Sequence, residues 1–325
     1  MLGRSSWGSP KSCSLDPPPT DILKKWLPEL LTFITDLCNA SLQQGCLHVS
    51  QRHAIVRPRL KIAGADAWEE QNYRPLSSLA FVDKVIESLV CHQLVAFFEP
   101  LHLLLSVQSV YRSKHSTETA ALKVITNVLR AADRGEVNLL CMLDLSAAFE
   151  TVDHDILIGR LQQSSGVKGL ALSWIESFLR NRTQSVSIDG VQSTRSLLTC
   201  GVPQGSALGP VLFLVYSADV IAIARRHGLK CMHSYADDTQ LYFHADSSVV
   251  DSKVQKLVTC VGDIGQWMCA NRLKLNQDKT QFIWLGTPHQ LSKLQLQTIT
   301  LGESTSWSPL KQCVSAYYLT VRWPW

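Results

Sequence analysis

The chain has 325 residues, 46% of them hydrophobic and 18% charged, a balance that suits a globular protein with a sizeable core. A net charge of +4 fits a nucleic-acid partner without requiring one, and ten cysteines with no C-x-x-C spacing exclude a disulfide framework or a zinc ribbon. No apolar run is long enough to span a bilayer, and the proline-rich start has no signal-peptide core. The expected location is therefore intracellular, nucleus or cytoplasm, with no secretion and no membrane partner.

Residues 1–20 are polar and read as a disordered tail. Residues 21–50 form a helical lead-in, with Ile22, Trp26, Leu30, Phe33, Ile34 and Leu37 at helical spacing over Asp21 to Leu47. Arg57 to Leu60 and Asn72 to Leu79 read as strands, and Phe81 to Phe98 and Ser116 to Ala132 as helices. The run Val137 to Leu143 is too short for a membrane span and reads as a strand buried on both faces, ending at Asp144. Asp153 to Gln162 and Leu170 to Arg180 follow as helices, and Gln184 to Ile188 as a strand.

Gly201-Val202-Pro203-Gln204-Gly205-Ser206-Ala207-Leu208-Gly209-Pro210 opens an apolar stretch to Ile223 that reads as a core helix. Ser206 is suited to cap it, its first turn tolerates Pro210, and the glycines allow an unusual path before it. Lys230 to Ser234 and Thr239 to Phe243 read as two strands of a hairpin with Asp237-Asp238 at or near the turn. Val249 to Met268 places Val250, Val254, Leu257, Val258, Val261, Ile264 and Trp267 on one helix face.

An Asp-Asp pair in a turn is by default a solvated turn. Asp144 changes the balance, because a carboxylate ending a buried strand is costly unless it is paired or binds a metal. The small residues after it, Leu145-Ser146-Ala147-Ala148, let a ligand approach the backbone before the ring of Phe149 limits the space. Three carboxylates from a buried strand and a hairpin suit a phosphoryl-transfer centre with two cations about 3.5–4 Å apart. Hard oxygen ligands favour Mg²⁺.

The motifs resemble those of the reverse transcriptases of non-LTR (LINE-type) retrotransposons, most closely the CR1/L2-like group. The matching residues run in family order: Asn72-Tyr73-Arg74-Pro75-Leu76-Ser77, Phe81 to Glu87, Gln108-Ser109 with His115 to Ala120, Leu143 to Phe149 with Thr151 to His154, Gly201 to Ser206, and Ser234 to Leu241. Leu273-Lys274-Leu275-Asn276 with Lys279-Thr280 comes last. The similarity covers roughly residues 21 to 310, and so many ordered motifs do not arise by chance. The resemblance implies an α+β fold, a right-hand polymerase in which an antiparallel palm sheet packs on helices. Residues 51–290 would be fingers and palm, and residues 291–325 a truncated thumb start with an atypical tail, the thumb being largely missing. The family's upstream endonuclease and a ribonuclease H site are not expected in this chain.

The same resemblance implies the site. Asp144, Asp237 and Asp238, with the backbone of Leu145, would hold two Mg²⁺ ions, with Mn²⁺ as a substitute. Leu145, Ala147 and Ala148 would face a deoxynucleoside triphosphate, and Phe149 would be a steric gate against a ribose 2′-hydroxyl. Arg74 would contact the triphosphate, and Gln204 and Gly205 would lie against the nucleotide and templating base. Lys279 would donate a proton to pyrophosphate; the bland alternatives for Arg74 and Lys279 are solvated surface side chains. The partners would be an RNA or DNA template and a primer, with the oligomeric state left open.

The chain departs from the family pattern at Glu150, at Val110-Tyr111-Arg112, at Gln51-Arg52 and over Lys61-Ile62-Ala63-Gly64. None of these removes a metal ligand, so two outcomes stay open besides a competent polymerase. One is a decayed relic that keeps the fold and at most binds nucleic acid. The other is an RNA-dependent RNA polymerase, against which Phe149 argues. The positive clusters Arg52, Arg57, Arg59 and Lys61, Arg180 and Arg182, and Arg225 and Arg226 are either solvated faces or contacts for primer and template phosphates. His227, Cys231 and His233 read as packing residues, since a fourth zinc ligand is missing. Leu310 to Trp325 matches nothing expected of the family.

Overall fold

The computed structural model describes residues 15, 16, 18–103, 117–229, 231–235, 238–246, 248–294, 298–301, 305–307 and 309–313. In chain order these form α1 (Thr20–Lys25), α2 (Leu27–Gln44), β1 (His53–Leu60), β2 (Tyr73–Ser78), α3 (Phe81–Phe98), α4 (Thr117–Asp133), β3 (Val137–Leu143) and β4 (Leu145–Ser146). Next come α5 (His154–Gln163), α6 (Gly169–Leu179), β5 (Arg182–Ile188), β6 (Val191–Gln192), β7 (Ser196–Leu198), α7 (Gly209–Tyr216) and α8 (Asp219–Arg226). The rest are β8 (Cys231–Tyr235), β9 (Asp238–Ala245), α9 (Val250–Ala270), β10 (Lys274–Leu275), β11 (Gln281–Gly286), α10 (Pro288–Ser292), β12 (Ile299–Leu301), β13 (Thr305–Trp307) and β14 (Leu310–Cys313). The fold is thus mixed, with sheets and helices, and it divides into two compact units. One joins the residues up to 100 with 149–215, the other joins 101–148 with those from 216 onward.

In the first unit the sheet runs β2-β1-β5-β6, with β7 also on β5. β1 is antiparallel to β2, from Ile55 opposite Ser78 to Leu60 opposite Tyr73, and parallel to β5. α3 matches its expected span and buries Ile86, Val90, Leu94 and Phe98. Trp174 of α6 is buried, stacks on Phe178 with 5.9 Å between ring centroids, and donates its indole N–H to Ser41 Oγ at 2.9 Å. The Leu47 amide donates to Ser177 Oγ at 2.7 Å, so α2 docks on α6 through a small polar contact.

The expected helical lead-in is present as α1 and α2. Along its apolar stripe Trp26, Phe33 and Leu37 are exposed and Leu30 and Ile34 half-buried, and the buried residues of α2 are Cys38 and Ser41. The helix also breaks at Trp26, because Pro28 has no N–H to bond the Lys24 carbonyl and sits instead in the first turn of α2.

In the second unit the strand order is β14-β11-β3-β9-β8, with β3 at the centre. β3 is antiparallel to both neighbours, from Val137 opposite Ala245 to Leu143 opposite Thr239 on one side and Gln281 opposite Met142 on the other. Its side chains alternate between faces, and both are covered, as its uninterrupted apolar run requires. Leu140 packs with Val124 and Val128 of α4 and with Tyr242, Ile283 and Leu285. Leu139 and Cys141 are buried on the opposite face, where Phe243 meets Trp284 edge to face. α9 contacts β9 and buries Val250, Val254, Leu257, Val261 and Ile264 as expected, together with Cys260 and Met268. Each fully buried side chain of this size contributes roughly 1.5–3 kcal/mol.

The single helix expected up to Ile223 is two. α7 ends at Tyr216, whose hydroxyl donates to the Asn271 carbonyl at 2.6 Å, and α8 restarts at Asp219 with its carboxylate in the first turn. Leu310 to Cys313, at the start of the segment expected to lack a family counterpart, extend the sheet as a strand parallel to β11.

Candidate active site

Leu143 faces Thr239 at the end of the β3–β9 ladder. Asp144 follows Leu143 directly, and Asp238, the first residue of β9, precedes Thr239, so each acid lies next to that last pair. Asp144 Oδ2 is buried without a hydrogen-bond partner, and Lys279 Nζ stands 3.9 Å from it, beyond hydrogen-bonding reach.

The chain on either side of Asp144 is held firmly. The Asp144 carbonyl accepts from the Asn276 amide at 2.8 Å, and β4 pairs with β10, Leu145 opposite Leu275 and Ser146 opposite Lys274. Asn276 then closes a tight turn that carries Lys279. Its Oδ1 accepts from the Lys279 amide at 3.3 Å, and its carbonyl accepts from Thr280 N at 3.0 Å and Thr280 Oγ1 at 2.7 Å. Ala147 follows with a left-handed φ of +51°, and Ala148 is buried. A non-glycine residue in that region costs roughly 1–2 kcal/mol, a local strain beside the carboxylates.

A buried carboxylate oxygen with no hydrogen-bond donor is costly. A cation would relieve that cost, and carboxylate and carbonyl oxygens fit a hard divalent cation. Asp237, the third expected ligand, lies outside the described residues, as do Gln108 to Ser116. Among the described residues no three His, Cys, Asp or Glu side chains gather as a metal site. His227 is engaged with Asp263 at 2.7 Å, and His233 is buried in β8.

In the first unit Phe149, Gln204 and Gly205 lie on or against one loop, whereas Leu145, Ala147 and Ala148 belong to the second unit. Phe149 is half-buried against Phe213 of α7, with ring centroids 5.2 Å apart, and its carbonyl accepts from the Val202 amide at 2.8 Å. The Gly201 amide donates to the Val152 carbonyl at 2.7 Å, and His154 Nε2 bonds the Gly201 carbonyl at 2.8 Å. Gly201 has φ +85°, and a Cβ there would stand 2.7 Å from the Glu150 carbonyl oxygen. The Gln204 carbonyl accepts from the Ser77 amide of β2 at 2.8 Å, and Gly205 has φ +107°. Ser206 Oγ accepts from the Leu208 and Gly209 amides, each at 3.1 Å, and so caps α7 as expected. Arg74 is exposed on β2 directly opposite exposed Arg59 of β1, a like-charge pair suited to an anion.

The basic clusters divide. Arg57, Arg59, Lys61, Arg225 and Arg226 are exposed. Arg180 is paired with Asp155 and with Glu176, and Arg52 donates to the Leu47 carbonyl, so these two are already engaged. Arg182 is buried, donates to the Phe178 carbonyl at 3.1 Å and lies 4.9 Å over the Phe178 ring, so it is not a phosphate contact.

Arg182 belongs to a buried charged group that the sequence reading did not assign a role. Asp83 and Glu87, one turn apart on α3, are also buried. Burial, then the charge of Glu87, pushes the Asp83 carboxyl up to about 8, against the pull of Arg182. Burial also raises Glu87 and lowers Arg182. The one visible signal was two acids at helical spacing on an otherwise apolar face.

Residues 64–311 match the family described as reverse transcriptase (RNA-dependent DNA polymerase). The chain belongs to the reverse transcriptase family. Among curated proteins, the RNA-directed DNA polymerase from mobile element jockey of Drosophila funebris is 28% identical over 214 residues, 65% of this chain and 23% of that protein. The jockey polymerase of Drosophila melanogaster is 26% identical over 257 residues, 77% of this chain and 27% of that protein. The probable RNA-directed DNA polymerase from transposon X-element of Drosophila melanogaster is 31% identical over 171 residues, 52% of this chain and 19% of that protein. This reverse transcriptase chain thus spans about a quarter of the length of the curated relatives it matches. The family match takes in Arg74, Asp144, Phe149, Gln204, Asp238 and Lys279, and it stops at 311, close to where the resemblance was expected to end.

Proposed function

We propose that this reverse transcriptase chain is the RNA-directed DNA polymerase domain of a LINE-type mobile element, extending a primer 3′-hydroxyl with deoxynucleoside triphosphates. The observation that supports it most is Asp144 Oδ2, buried at the end of β3 with no hydrogen-bond partner among the described residues. Asp144, Asp237, Asp238 and the Leu145 carbonyl would hold two Mg²⁺ ions. When bound, such ions lower the pKa of the primer hydroxyl and neutralise charge on the triphosphate.

The chain's own residues supply orientation and selection. Lys279 is largely exposed, with its ammonium 3.9 Å from Asp144 Oδ2, and in this reading it gives a proton to departing pyrophosphate. Arg74 and its neighbour Arg59 draw the triphosphate, a planar guanidinium matching phosphate oxygens. The Phe149 ring rests on Phe213, and in this reading it stands where a ribose 2′-hydroxyl would go. Gln204 and Gly205 meet the nucleotide and templating base. In this reading the second unit is the palm, and the sheet of the first unit the fingers.

The test is extension of oligo(dT) on poly(rA) with Mg²⁺, comparing the chain with Asp144→Asn and Asp237→Asn. Extension by the chain and its loss in both variants support the reading. Equal signals from all three sink it and leave a relic that at most binds nucleic acid.

A further inference from the structure

We infer that Glu87 is the positioning residue of the loop from Gly201 to Gly209, holding Gln204 and Gly205 in the conformation that meets the incoming nucleotide. The inference rests on the polymerase reading and adds to it a residue that touches no substrate.

Glu87 is fully buried in the first unit, on the buried side of α3 with Asp83, Ile86, Val90 and Leu94. A carboxylate there is costly unless it is well bonded. Its Oε2 accepts from Ser206 Oγ at 2.6 Å and from the Ala207 amide at 3.0 Å. The Leu208 and Gly209 amides both donate to Ser206 Oγ, so the single hydroxyl proton is free to go only to Glu87. The carboxylate therefore orients the cap of α7 and grips the backbone just before it.

The other side of the loop is pinned by the bond from the Ser77 amide to the Gln204 carbonyl. Between the two pins lies Gly205 at φ +107°, where a Cβ would stand 3.2 Å from the Ser77 carbonyl oxygen. A glycine has little intrinsic preference for one backbone path. The path is set by its anchors, and Glu87 is the anchor that lies 119 residues away in the chain. Arg182 is buried with it and offsets its charge.

The test compares Glu87→Gln, which keeps an acceptor for both donors, with Glu87→Met, which has similar length and none. The readouts are KM for deoxynucleotide, kcat, affinity for primer–template, and hydrogen exchange at the Ala207, Leu208 and Gly209 amides. E87M is expected to raise KM and amide exchange at least about tenfold with primer–template affinity unchanged, while E87Q stays within about threefold of the parent chain. E87M matching E87Q in both readouts overturns the inference. Exchange needs no turnover, so a parent chain that extends no primer, with exchange raised in E87M alone, sinks the polymerase reading and leaves the anchor in place. Should E87M not fold, Ser206→Ala removes the same bond from the other side and is expected to raise exchange likewise.

Discussion

Asp144 and Asp238 both adjoin the last pair of the β3–β9 ladder, Asp144 after Leu143 and Asp238 before Thr239. Like charges held at one end of a strand pair repel. Asp144→Asn should therefore be slightly more stable than the parent chain in EDTA. With excess Mg²⁺ the order should reverse, because only the parent chain gains the full stabilisation of a bound cation. Melting curves under both conditions decide it; equal magnesium shifts for both proteins would count against a cation at Asp144.

Gly201 is bound to its position by backbone geometry and by space. Gly190 also has a left-handed φ, +83°, but no atom lies within 4 Å of where its Cβ would stand. Gly190→Ala should cost about 1 kcal/mol. Gly201→Ala meets the same φ penalty and a Cβ only 2.7 Å from the Glu150 carbonyl oxygen, so it should cost roughly 3 kcal/mol or more. Urea unfolding of the two variants measures the difference.

Asp83 makes stability depend on pH. Its folded carboxyl is raised from 3.8 to about 8, so between those values the folded state holds a proton that the unfolded chain has released. Stability from this group is fully present below pH about 4 and is lost as pH rises through about 8. Asp83→Asn keeps the neutral form throughout. It should gain on the parent chain steadily from acid to mildly alkaline pH, a trend that unfolding at a series of pH values reads directly. The comparison cancels the opposite trend from His53, which burial lowers.

Phe149 is expected to exclude ribonucleotides by its ring. Phe149→Val should raise the ratio of ribonucleotide to deoxynucleotide incorporation on the same primer–template. It also removes the contact with Phe213, worth about 1 kcal/mol, so a small loss of stability should accompany the change. An unaltered ratio would mean that the ring does not face the sugar.

Much of the architecture was legible in the chain. An unbroken apolar run at 137–143 means a strand covered on both sides, and β3 is that strand. The spacing of Val250, Val254, Leu257, Val261 and Ile264 means one buried helix face, and α9 has it. The order of the motifs around Asp144, Gly201 and Tyr235 pointed to the family that residues 64–311 match. Helical spacing also marked α2 as a helix, but it did not show that Phe33 and Leu37 would be exposed.

By itself, then, the sequence determined which segments are helix or strand, which faces are apolar, and to which family the chain belongs. Periodicity and motif order are local properties, written in neighbouring residues. Only the tertiary structure decided that β3 and β9 bring Asp144 and Asp238 to the same end of their ladder, that Arg182 is buried beside two acids instead of facing a phosphate, and that Glu87 holds Ser206. Each of these depends on strand register or helix docking between segments far apart in the chain, and the free energy of a charge depends on what is packed around it.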